Sequence, residues 1–140
     1  MAKQPAWTLP IITGIAILLV GVYLLLTFND RGDDEISIVE TTLPVFDESY
    51  AQGQSLYQSN CSTCHGAALG GKKGLGPPFV HGYYKPSHHA DIAFYRAINM
   101  GVTAHHWQFG NMPAIPSLTK ADATEIIRYI RAVQQANGIS

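Results

Sequence analysis

The sequence predicts an all-α protein, an N-terminal transmembrane helix followed by a small helical domain. Three observations carry this reading: an uncharged apolar run near the N-terminus, apolar residues recurring at helical spacing at both ends of the remainder, and no stretch that alternates long enough to make a strand. The 140 residues leave room for one domain. Nine Lys plus Arg face ten Asp plus Glu for a net charge of −1, so the chain lacks the cation surplus that a nucleic-acid partner demands. Two cysteines are too few for a disulfide scaffold.

Residues 1–28 form the expected anchor. No charge falls between Trp7 and Phe28, and about 22 residues at helical rise reach roughly 33 Å, the hydrocarbon thickness of a bilayer. Lys3 lies before the run, whereas Asp30, Asp33, Asp34 and Glu35 follow it with Arg31 alone among them. The positive-inside rule then leaves the N-terminus in the cytoplasm and exports the rest. A cleavable secretory signal is the competing reading, but it calls for a shorter core and a small-residue cleavage site, and here the run ends in FNDRGDDE. Either reading exports the remainder.

Residues 29–45 read as an acidic tether. From Asn29 to Glu48 one arginine faces seven acids, net −6, while Ser49 to Ser140 carries seven bases and three acids, net +4. A leash of this length stretches to roughly 55 Å and averages about 20–25 Å as a flexible coil. Ile36, Ile38 and Val39 are apolar points on it that offer a docking contact to a partner or to the domain.

Residues 46–140 form the domain. Asp47 is placed as a helix N-cap, and Phe46, Tyr50, Gly53, Leu56 and Tyr57 fall on one helical face that runs to Asn60. Gly53 costs such a helix about 1 kcal/mol relative to Ala, which suggests that another helix approaches closely there. A middle helix is expected from about His89 to Met100, with Phe94, Ala97 and Ile98 inward and Gly101 as terminator. In the last helix Thr119 and Asp122 resemble a capping box, Leu118 and Ala123 a staple, and Ile126, Ile127, Ile130 and Val133 a buried stripe that Gly138 ends. Between these helices lie two Gly/Pro-rich stretches, Gly66 to Pro86 and Gly101 to Pro116, longer than connections in a compact domain require.

The chemistry is concentrated at Cys61-Ser62-Thr63-Cys64-His65. Two cysteines separated by two residues and followed by histidine form the haem c attachment pattern: the thiols add to the porphyrin vinyl groups and the imidazole reaches the iron from the same helical turn. A zinc site would need two more ligands and a thioredoxin-like motif would want a preceding strand, while a plain disulfide stays open in an exported chain.

With Gly53 and Tyr57 ahead of that motif, Leu75-Gly76-Pro77 after it, Gly110-Asn111-Met112-Pro113 further on and Tyr129 in the last helix, the segment Phe46 to Gly138 resembles the class I c-type cytochromes in their membrane-anchored monohaem form. The resemblance implies a single covalent haem c, contact between Gly53 and Tyr129, and the Pro77 carbonyl as acceptor for the ring N–H of the iron-bound His65, a bond that fixes imidazole orientation. It also implies Met112 as the sixth iron ligand, and Pro113 keeps the following helix from starting early. Met100, His105 and His106 remain as alternatives, a histidine giving a lower potential than a thioether.

His88, His89, His105 and His106 read either as solvated loop residues or as a copper or zinc site. Trp107, Tyr83 and Tyr84 read as propionate donors or as core. Lys72, Lys73 and Lys85 are candidates for a cationic rim that docks an acidic partner. An iron with both axial positions filled suits one-electron transfer rather than catalysis. The resemblance thus implies a carrier on the periplasmic side of a bacterial inner membrane, running from a quinol-oxidising complex or dehydrogenase to a terminal oxidase or reductase. Two other readings stand beside it. One is a fixed subunit of a larger oxidase, reductase or dehydrogenase complex, with Gly14 and Gly21 letting another helix pack on the anchor; the other is a haem-based ligand or metal sensor.

Overall fold

A computed structural model describes residues 16–24 and 37–140. The chain falls into two compact units, Met1–Glu35 and Ile36–Ser140. In the first, residues 16–24 are helical. Among the described residues no helix is long and apolar enough to cross a membrane. The expected anchor lies largely outside the described residues, as do Gly14, the first part of the tether and Ile36.

In the second unit a 3-10 turn at Glu48–Tyr50 leads into α1 (Ala51–Asn60), α2 (Ser62–His65), α3 (Asp91–Met100) and α4 (Lys120–Ala136). A further 3-10 turn lies at Gly82–Tyr84. Among the described residues there is no strand, only the isolated bridges Ser37–Lys72, Lys72–Gly76 and Val102–Met112. Asp47 caps as its position suggests, accepting from the Ser49 N–H at 2.8 Å, although the turn it caps is the 3-10 segment ahead of α1.

The α1–α4 crossing organises the core. A Cβ on Gly53 would collide with the Glu125 carbonyl and stand 3.1 Å from the Tyr129 Cβ, so the glycine is what allows the two backbones to approach. Phe46 packs its ring on Tyr129 at 5.1 Å, and Tyr57 lies 5.5 Å from the same ring. Tyr57, Tyr129, Ile126 and Val133 are fully buried.

Both hydrogen bonds of the expected capping box form: the Thr119 hydroxyl accepts from the Asp122 N–H at 3.2 Å, and the Asp122 carboxylate accepts from the Thr119 N–H at 3.0 Å. The Thr119 hydroxyl, donating to the Asp122 carboxylate at 2.6 Å, and the Thr119 N–H hold that carboxyl below its ordinary value. The buried stripe contains Ile126, Ile127, Ile130 and Val133 as expected, and also Gln134.

Two boundaries differ from the sequence reading. Helix α3 begins at Asp91 rather than near His89, because the His88 and His89 N–H groups both turn back to the Lys85 carbonyl at 2.9 Å and Ala90 is extended. Residues 37–45, read as part of the tether, are fastened to the domain. The Ile38 and Val39 N–H groups donate to the Gly70 carbonyl at 3.1 and 3.0 Å, and Asn137 exchanges two hydrogen bonds with the Thr42 backbone at 2.9 and 2.8 Å. Backbone pairing stops this part of the segment from behaving as a coil.

Candidate functional site

The attachment motif is shaped by one turn of chain. The Cys61 N–H closes α1 on the Tyr57 carbonyl at 2.8 Å, and the Cys64 and His65 N–H groups return to the Cys61 carbonyl at 3.2 and 2.9 Å. Both sulfurs and the imidazole therefore serve the same cavity, of about 760 Å³, which Cys61, Cys64 and His65 line together with Pro77 and Met112. No disulfide joins the cysteines. Burial pushes the Cys61 thiol up to about 11.

His65 is buried and bonded through Nδ1 to the Pro77 carbonyl at 2.9 Å. A carbonyl only accepts, so Nδ1 carries the proton and Nε2 keeps its lone pair. Burial lowers the imidazole below its ordinary value, the Pro77 bond opposing it, and favours the neutral ring that a metal requires. Phe79 stacks on the ring at 4.2 Å.

Met112 sits on the loop before α4, where its N–H and carbonyl pair with Val102 at 3.0 and 2.9 Å. Gly101, with φ 75°, lies too close to the Met112 carbonyl to carry a Cβ. Met100 is 79% exposed and does not line the cavity, whereas His105 and His106 do. Trp107 and Tyr84 also face the cavity. Trp107 Nε1 is buried without a well-formed hydrogen bond, although the Tyr84 hydroxyl is near enough to interact weakly; burial pushes that hydroxyl up to about 12. A buried indole N–H without a well-formed bond is best satisfied by an acceptor on whatever fills the cavity. The two thiols, the neutral imidazole, the cavity volume and this donor fit a haem, whose propionates are such acceptors.

Among Lys72, Lys73 and Lys85 none lines the cavity; the cation that does is Arg96. A buried network at Gln134 also goes beyond the sequence reading. Gln134 is fully buried, and its Nε2 donates to the Phe79 carbonyl at 2.8 Å and the Tyr84 carbonyl at 3.2 Å. Its Oε1 accepts from Arg131 at 2.7 Å, and Arg131 also donates to the Tyr84 carbonyl at 2.7 Å and to Asp91 at 2.8 Å. This network ties the cavity wall at Phe79 to Tyr84 onto α4. Its one sequence signal is a glutamine four residues after Ile130, on an apolar face.

The family model described as cytochrome c oxidase, cbb3-type, subunit III matches residues 48–130. No curated protein matches the chain. Residues 48–130 take in both cysteines, His65 and Met112, and they are the stretch that folds around the cavity. The chain accordingly belongs to the cbb3-type oxidase subunit III family, and its helical domain is a class I c-type cytochrome, an electron-transfer module with haem c bound covalently through Cys61 and Cys64.

Proposed function

We propose that the protein is a membrane-tethered one-electron carrier in which His65 and Met112 would hold the haem iron, working on the periplasmic side of a bacterial inner membrane between a quinol-oxidising complex and a terminal oxidase or reductase. The observation that carries this assignment is the His65–Pro77 bond at 2.9 Å, which leaves Nε2 with the lone pair that would hold the iron, on a ring that lines the same cavity as Met112. When bound, the haem supplies a one-electron ferric/ferrous couple.

The chain's own residues do the rest. Cys61 and Cys64 hold the group covalently, and the Pro77 carbonyl fixes the imidazole tautomer and raises its basicity. Phe79, Phe94 and Ile98 keep that side of the cavity apolar. A Met112 thioether favours the reduced iron and a high potential. With His65 and Met112 both on the iron no site would remain for a substrate, which favours a carrier role. The uncharged run from Trp7 to Phe28 supports the tether.

The family match favours a second reading, a fixed subunit of an oxidase complex. Fractionation tests both. On the carrier reading the haem-staining band stays with carbonate-washed membranes, protease applied outside spheroplasts removes the haem domain, and mild detergent releases a lone haem protein. Stable co-elution with an oxidase would favour the subunit, and a band in the soluble fraction would contradict the tether.

A further inference from the structure

The two histidine pairs, 17 residues apart in the chain, meet at the rim of the cavity. His88 and His89 end the turn closed on the Lys85 carbonyl, and His106 comes from the loop between α3 and α4. One ring nitrogen from each of the three lies within 4.8 Å of the others. His88 Nε2 and His106 Nε2 stand 3.4 Å apart. That is long for a hydrogen bond, but two nitrogens on a tetrahedral ion with bonds of about 2.0–2.1 Å are separated by about 3.4 Å.

The surroundings prepare the ligands. His89 Nδ1 is bonded to the Tyr83 carbonyl, so it carries the proton and Nε2 keeps a lone pair, the arrangement that ligating histidines adopt. Tyr83 stacks on the His106 ring at 4.7 Å and limits its orientation. Among the described residues neither His88 nor His106 has a carboxylate partner that would account for the gathering.

From this geometry we infer that His88, His89 and His106 form a binding site for a divalent transition-metal ion, with solvent in the fourth position. An all-imidazole set suits copper, zinc and nickel, and among these copper(II) binds such ligands most tightly. His89 and His106 also line the cavity whereas His88 does not, so the ion would sit in its wall, separate from the attachment turn.

The test uses the full-length, haem-loaded protein in detergent, purified without a polyhistidine tag. Titration with copper(II), followed by electron paramagnetic resonance, is expected to give a nitrogen-coupled signal that saturates at one ion per chain. His88→Gln and His106→Gln are each expected to weaken binding by about tenfold or more, and the double variant to abolish it, with the haem absorption bands unchanged. A second measurement needs no variant: stoichiometric zinc(II) is expected to shield His88, His89 and His106 from diethyl pyrocarbonate, read by mass spectrometry, while His81 is labelled equally with and without zinc. Absence of saturable copper binding, binding that survives the double substitution, or zinc that shields none of the three would overturn the site.

Discussion

The two sides of the haem cavity are built in different ways. One is a single turn, Cys61 to His65, in which three chemically active side chains follow from five consecutive residues and three backbone hydrogen bonds. The other is assembled from distant pieces: the 79–89 loop is held to α4 by Gln134 and Arg131, and Met112 is placed by its pairing with Val102. Attachment is thus encoded locally, whereas the rest of the cavity wall depends on tertiary structure. Substitutions on the first side should act all-or-none, and those on the second should be graded.

The largest effect is expected from Cys61→Ser combined with Cys64→Ser, which removes both thioethers: no haem-staining band should survive a denaturing gel, and a persistent band would mean attachment elsewhere. Next comes Gly53→Ala. Its Cβ meets backbone at Glu125 rather than a yielding side chain, so a loss of about 3 kcal/mol is expected in denaturant titration. Gly82→Ala, with nothing within 4 Å, should stay within about 0.5 kcal/mol and serves as the control.

Gln134→Leu keeps the volume but takes the donor from the buried Phe79 carbonyl, while the Tyr84 carbonyl keeps its bond from Arg131. A loss of about 2 kcal/mol is expected, with faster amide exchange across residues 79–89 and a shifted haem potential but intact covalent attachment. An unchanged potential would show that this side of the cavity does not tune the iron. The smallest effect is confined to acid. The Asp122 carboxyl is held below its ordinary value of 3.8 by Thr119, so the stability it contributes is present at neutral pH and lost as pH falls through its lowered native value. Asp122→Asn should therefore be less stable than the wild type at neutral pH, with the gap closing in strong acid; a gap independent of pH would remove the linkage.

The same division explains what could be read from the sequence. Thr119 and Asp122, the Ile126 to Val133 stripe, Gly53 and the attachment motif are local or periodic signals, and the structure forms each of them. The path of residues 37–45 is not local, because it turns on the Gly70 carbonyl elsewhere in the fold, whereas the start of α3 is set by the short turn that His88 and His89 close on the Lys85 carbonyl, a turn with no distinctive sequence signal. Arg96 at the cavity, Gln134 beneath it and the meeting of His88 and His89 with His106 arise only once the loops are folded over α3 and α4. Lys72, Lys73 and Lys85, candidates for a cationic docking rim, do not line the cavity.

The central claim is that His65 and Met112 close the iron. The most direct measurement is the reduced-minus-oxidised absorption spectrum of the detergent-solubilised protein with and without carbon monoxide, beside Met112→Ala. The wild type is expected to give sharp low-spin bands that ignore carbon monoxide, and the variant a spectrum that shifts on its addition. A reduced wild type that binds carbon monoxide readily would contradict it and point to a sensing or catalytic haem.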